Sequence, residues 1–262
     1  MTDGMWRVAI FFGLLLGLAL LERLAPAREW RARGAARLAS HGALGMLSVG
    51  VPAAMGWVMR LLIGVGAAAW AASAGFGLFH WIAAPGWLAA GVSIIAMDSA
   101  IYFQHRAMHV SPLLWRLHNM HHHDHDLDVT TAMRFHPAEI VASTLYKAAV
   151  IVLLGAPVAA ALAYEMVLSS MALFNHANIA LPPQIERWAR LVIVTPSMHV
   201  RHHSMVRAEH DSNYGNFLSL WDRLLGTWHA EPPAPAKFPI GLAETQARDV
   251  NRLGWLLALP WR

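Results

Sequence analysis

The chain has 262 residues, 56% of them hydrophobic and only 14% charged, where soluble domains carry roughly 25% charged residues. It contains no cysteine, which excludes disulfides, thiolate metal sites and cysteine nucleophiles. The net charge of +4 is held by arginine; in so apolar a chain this bears on membrane orientation and excludes nucleic acid as the expected partner.

A spanning helix needs about 20 mostly apolar residues. The first such run covers 6–24, broken only by Arg7 near its start and by Glu22 and Arg23 near its end. It lacks the basic start and cleavage site of a signal peptide and reads as a retained helix. A basic loop follows with Arg28, Arg31, Arg33 and Arg37. The second apolar block, 42–74, is interrupted by Arg60 and is too long for one simple span, so its end is expected in the interface. The aromatic stretch 75–81 reads as interfacial. A third span runs over 85–102. Residues 137–175 read as a hairpin of two further spans, bent at Gly155, Ala156 and Pro157 because Gly and Pro end helices. Residues 188–194 read as a short interfacial helix beside the substrate entrance, and 231–239 are proline-rich.

The expected fold is all-α: a polytopic integral membrane helical bundle of one domain. Residues 1–97 supply membrane spans, 98–230 a histidine-cluster catalytic region including the hairpin, and 231–262 a C-terminal tail. The loop at 28–37 is cytoplasmic by the positive-inside rule. Counting spans from there brings the histidine-rich segments 105–136 and 176–203 to that same face.

Histidine is the compositional anomaly, with 16 copies. His105 and His109 are four apart, one face of a helix. His118, His121 and His122 follow an i, i+3, i+4 pattern, and His199, His202 and His203 repeat it. Each cluster can aim two or three imidazoles at one spot. Imidazole suits iron, zinc and copper. Eight such ligands are too many for one ion, so two adjacent ions are the natural count.

These clusters sit in a longer ordered series: Asp98-xx-Tyr102-xx-His105-xxx-His109, Trp115-Arg116-x-His118-xx-His121-His122, Thr130-Thr131-xx-Arg134-x-His136-Pro137, Asn175-His176-x-Asn178, His199-xx-His202-His203-Ser204, and Asn213-Tyr214-Gly215 with Trp221-Asp222-Arg223-xx-Gly226-Thr227. Over about residues 95–230 this series resembles the fatty acid hydroxylase/sterol desaturase superfamily. The resemblance implies a di-iron enzyme with O2 as co-substrate and a lipid as substrate, among fatty acyl chains, sterols, alkylglycerols and carotenoids. It implies His105, His109, His118, His121, His122, His199, His202 and His203 as metal ligands, with His136 and His176 as further ligands. Some relatives carry another histidine four residues after the one like His176; here Ala180 stands there. His123 lies off the cluster face and is expected to bind nothing. His125 returns to that face at i+7 but sits in a loop-like run. His41, His80, His210 and His229 read as ordinary.

A metal-bound histidine usually donates its other N–H to a carboxylate or carbonyl. Asp98, two turns before His105, suits that role or a hydrogen bond to a neighbouring helix. Asn178 is the other candidate, with Asn175, Asp211, Asn213 and Asp222 behind it. Lys147 lies within a span, where it snorkels or pairs with Glu139 or Glu165. Hydroxylation is the preferred reaction, with lipid desaturation at the same site as the alternative. A membrane metal-binding or transport protein is the alternative of another class, and a zinc hydrolase a third. No dinucleotide fingerprint or iron–sulfur ligand set occurs, so an external electron donor is expected: a reductase, ferredoxin or cytochrome, drawn to Arg201, Arg207 and Arg223. The expected location is a bacterial inner membrane, crossed several times, with the active site cytoplasmic.

Overall fold

A computed structural model describes residues 3–30, 34–54, 64–229, 238–245 and 250–262. Arg31, Arg33, Arg60 and most of the proline-rich 231–239 lie outside the described residues. Helix α1 spans Asp3–Leu24, α2 Ala35–Ala54, α3 Gly64–Ala74, α4 Leu78–Trp81 and α5 Gly86–Val110. Next come α6 Pro112–His122, a 3-10 turn Val129–Met133, and the pair α7 Pro137–Leu154 and α8 Val158–His176. Short helices follow: α9 Pro183–Ala189, α10 Pro196–His202, α11 Arg207–His210, α12 Leu220–Leu224 and α13 Leu253–Ala258. Among the described residues there are isolated bridges but no strand.

Helix boundaries follow local chemistry. Proline opens α6, α7, α9 and α10 at the first turn, where its missing N–H is harmless. Ser111 caps α6 by accepting from the Leu114 amide. Gly155 ends α7 with φ 64°, so the hairpin bends where expected. A Cβ at Gly155 would fall 2.9 Å from the Phe76 carbonyl, and one at Gly77 would fall 2.3 Å from the Gly155 amide. The two turns pack backbone to backbone because neither carries a side chain.

Three helices among the described residues are long and apolar enough to cross a membrane: α5, α7 and α8. They pack with α3 around Ala67, Ala68, Met97, Ala148, Ile151, Ala156, Ala161 and Tyr164. Small residues let membrane helices approach closely. Helix α1 lies against α8 and turns Phe12, Leu16, Leu20 and Leu24 outward.

One end of this bundle carries the histidines. The chain leaving α1 reaches the same end: the Ala27 amide donates to the Asn178 carbonyl, and the Glu22 carboxylate accepts from the Val129 and Asn178 amides at 2.7 Å each. Arg37 enters the 124–131 loop. The contacts therefore gather the start of α2, the end of α5, α6, the start of α7 and the end of α8 at one pole. The Gly77–Gly155 contact marks the other. Lys147 is half-buried, and it is Arg7 that forms an ion pair with Glu165.

Candidate metal centre

The last turns of α5 carry His105 and His109, α6 carries His118, His121 and His122, α8 ends on His176, and α10 brings His199, His202 and the following His203. These nine side chains form two groups. His105, His109, His118, His122 and His202 each offer one ring nitrogen, all within 4.8 Å of one another; His121, His176, His199 and His203 make the second group by the same measure.

The grouping corrects the expectation that each sequence cluster serves one spot. A helix turns about 100° per residue, so positions i and i+4 lie about 40° apart while i+3 falls on the other side of i. His118 and His122 therefore join the five-membered group and His121 the other. In α10 the pairing is mirrored: His199 and His203 point together, and His202 crosses to the five. Each of the two three-histidine clusters thus stands between two centres and serves both, while His105 and His109 serve one.

Hydrogen bonds fix five of the rings through Nδ1. His105 donates to the Tyr214 carbonyl at 2.8 Å, His202 to the Ser212 carbonyl at 2.7 Å and His176 to the Ala172 carbonyl at 2.7 Å. His118 donates to the Glu139 carboxylate at 2.8 Å and His109 to Asp211 at 3.1 Å. Nε2 is then left as the unprotonated atom facing inward. Those atoms crowd one another: His105 and His118 Nε2 lie 3.2 Å apart, His121 and His176 2.9 Å, His176 and His199 3.0 Å. Nε2 of His109, His122 and His202 is buried with no hydrogen-bond partner. Unpaired buried polar atoms are costly, and lone pairs aimed at one another repel. A cation at the centre of each group removes both penalties, so the donor set fits a metal. Burial, then the neighbouring imidazoles, holds His122 and His202 well below the ordinary histidine pKa. His121, His199 and His203 shift the same way, also chiefly by burial. Neutral imidazole is the ligating form.

The structure does not bring His136 to either group. It caps α7, its Nδ1 accepting from the Ala138 amide, and its Nε2 faces the Leu257 carbonyl at 3.3 Å. His123 and His125 also belong to neither group. His123 is buried rather than solvent-facing, because α13 covers it with Trp255. His41 bonds Thr130 and Arg134. His210 is less ordinary than its isolated sequence position suggests. It forms a small group with His109 and Asp211 and stacks on Trp115.

Asp98 does not reach His105. It accepts from Tyr164 OH at 3.2 Å, Trp221 Nε1 at 2.7 Å and the Leu218 amide at 3.1 Å, which is the alternative of a bond to neighbouring elements. Asn178 likewise holds backbone, clamping both the amide and carbonyl of Arg28. Asp222 ties the 213–227 loop, accepting from the Tyr214 and Gly215 amides at 2.8 Å. The carboxylate that orients a cluster ring from within a helix is instead Glu139, buried in the first turn of α7. Its place three residues after His136 was the available signal. Glu139→Gln is expected to lower metal affinity and turnover about 10–100-fold, as loss of such outer partners does; metal titration of the purified variant measures it. Wild-type affinity in the variant contradicts the orienting role.

Residues 90–227 match the family described as fatty acid hydroxylase. Ornithine lipid hydroxylase OlsE of Rhizobium tropici is 30% identical over 252 residues, covering 93% of this chain and 73% of that protein. Human alkylglycerol monooxygenase is 27% identical over 139 residues, 53% of this chain and 30% of the relative. A very-long-chain aldehyde decarbonylase of Oryza sativa subsp. indica is 30% identical over 158 residues, 55% of this chain and 25% of the relative. No solved structure matches. With more than half of its length inside the family match and a relative aligned along nearly all of it, this histidine-bearing membrane chain belongs to the fatty acid hydroxylase family and is an oxidoreductase of that superfamily.

Proposed function

We propose that the protein hydroxylates a C–H bond of a membrane lipid, using two iron ions and O2. The observation that carries this reading is the pair of adjacent buried groups, five and four imidazoles, at one pole of apolar helices. The named hydroxylase and monooxygenase relatives support the choice of hydroxylation over desaturation. Iron bound there supplies the reduction of O2 to an oxidant able to break an unactivated C–H bond. The balance is R–H + O2 + 2e⁻ + 2H⁺ → R–OH + H2O.

The chain's own part is to position, to exclude water and to stay neutral. Nine histidines are brought in by α5, α6, α8 and α10, and the outer nitrogens of five of them are held by Glu139, Asp211 and three carbonyls, so much of the ligand geometry is set before metal arrives. All nine are buried or nearly so, which keeps bulk water from the reacting carbon. The electrons come from outside, from a reductase, ferredoxin or cytochrome. Of the arginines expected to attract it, Arg201 pairs with Glu209 and Arg207 with Asp211, and Arg223 lies over Trp228; Arg207 remains 63% exposed and is the best placed.

Anaerobically purified protein should hold about two irons per chain, since nine imidazoles exceed one ion's capacity. Turnover should need O2 and an added donor, followed as gain of one oxygen on extracted lipid. Full activity with one metal or with zinc alone contradicts the di-iron reading.

The histidine pole is assigned to the cytoplasm, with α1 and the α2–α3 region crossing as well. The absence of cysteine makes single introduced cysteines clean reporters. At exposed Glu29 and Arg207 they should label from the cytoplasmic side, and at exposed His80 from the other side. Labelling of Glu29→Cys and Arg207→Cys from opposite faces breaks the topology.

A further inference from the structure

A third group of ligand atoms lies at the exposed edge of the five-histidine centre: His109, His210 and Asp211 each offer one, all within 4.8 Å of one another. His210 is built as the cluster rings are. Its Nδ1 donates to the Ser204 carbonyl at 3.1 Å, as those of His105, His176 and His202 donate to carbonyls. Its Nε2 is buried with no hydrogen-bond partner. The residue is 4% exposed, and its ring lies flat on Trp115, centroids 5.4 Å apart at 11°. Nε2 stands 3.9 Å from the Asp211 oxygen that accepts from His109 Nδ1. A lone pair orphaned in this way is costly unless something meets it, and a metal-bound histidine holds its other nitrogen just so. Yet His210 belongs to neither the five nor the four.

This third group differs from the other two in charge and in access. Two carboxylates hold cluster rings: Glu139 is 4% exposed, whereas the Asp211 side chain is 30% exposed. Asp211 is therefore the one that a hydrated cation reaches from water. Its neighbour there, Arg207, bonds the other Asp211 oxygen at 3.1 Å and is itself 63% exposed; so exposed a pair is weak and yields to a divalent ion. Two imidazoles and one carboxylate are a ligand set that suits iron(II) with open positions. Three ligands hold an ion less firmly than five, and His109 belongs to both groups. A neutral imidazole has one lone pair to offer, so His109 completes the outer position or the inner centre, not both at once. The outer position is thus one that an ion passes through.

We propose that Asp211, His210 and His109 form a third cation position, the port through which a divalent transition-metal ion enters the five-histidine centre. Asp211 captures the ion from water, His210 takes it on Nε2, and His109 passes it to the other four rings of the centre. The inference rests on the two-metal reading and adds the route of loading.

The test follows Co2+ alone entering the full-length protein, stripped of metal by a chelator and kept in detergent without oxygen. Visible absorption gives the rate and metal analysis the final content. The wild-type rate should saturate as Co2+ is raised, because capture at the port precedes transfer. His210→Phe keeps a ring on Trp115 and removes the ligand. It should load about tenfold more slowly at low Co2+, with a rate that rises linearly and a final content equal to that of the wild type. A merely structural role for His210 would move final content or melting temperature, not the rate alone. Asp211→Asn keeps an oxygen for His109 but loses the capturing charge, and should slow loading likewise. Loading of His210→Phe at the wild-type rate overturns the port. Saturation that persists in His210→Phe assigns the slow step to an opening of the protein and overturns it too. A wild-type rate that stays linear in Co2+ does the same, and decides the matter even if a variant fails to fold. A wild type that takes up one ion or none defeats the two-metal reading instead, whereas two ions loaded equally fast with and without His210 leave that reading and remove the port.

Discussion

His202→Ala is expected to abolish turnover and to lower bound iron from about two per chain to about one, because four imidazoles then face a centre shaped by five. The ring it removes lies 4.5 Å from the His105 ring and 4.7 Å from that of His122, so no neighbour can replace it without displacing another ligand. The informative control is His123→Ala, also taken from a run of adjacent histidines. His123 donates from Nδ1 to the Asn119 carbonyl at 2.6 Å and packs edge-on to Trp255. Its loss should destabilise the protein by about 1–3 kcal/mol through the emptied volume, with iron and most activity retained. Metal analysis and product formation, each normalised to membrane-inserted protein, read both variants. An active His202→Ala beside a dead His123→Ala would require a different ligand set.

Arg37→Met should unfold the histidine pole at markedly lower temperature. Arg37 is buried at 3% exposure and meets both oxygens of Asp124, at 3.0 and 2.7 Å, as well as Asp128. It also donates to the Asp126 carbonyl and to Thr131, each at 3.2 Å. Burial alone pushes the Asp124 carboxyl up, but Arg37, with His41 and Arg134 behind it, holds that group well below the usual carboxylate range. Removing the guanidinium leaves Asp124 and Asp128 buried without the cation hydrogen-bonded to them, a loss of about 3–5 kcal/mol. Exposed Arg23, replaced by alanine, should change stability by no more than about 0.5 kcal/mol. Thermal unfolding in detergent compares the two. Equal melting of Arg37→Met and wild type means that the network is solvated and carries no weight. Iron loss in Arg37→Met is expected as a consequence, since the 124–131 loop follows His121 and His122 directly.

Arg37 also shows what charge patterning can and cannot say. Read along the chain, it is one of four arginines in a loop and indicates a side of the membrane. In the structure it is an internal counter-ion for residues some ninety positions away. Both readings put the loop and the histidines at one pole, the first by counting spans and the second by contact. Glu139 is the opposite case: a plausible partner for Lys147 by sequence, yet turned to His118.

The sequence by itself determined the helical membrane class, the hairpin bend at Gly155 and ten candidate ligand histidines, nine of which converge while His136 does not. Apolar run length, helix-ending residues and 3.6-residue periodicity are local properties, and each is set within a few turns of one segment. It could not determine how those nine divide between two centres, that Asp98 serves Trp221 rather than His105, or that His136 faces Leu257. Those outcomes depend on how α5, α6, α8 and α10 rotate against one another and on which loops close over them. A rotation of about 100°, one residue of helix, moves a ring from one centre to the other. Only packing among segments distant in the chain selects that angle.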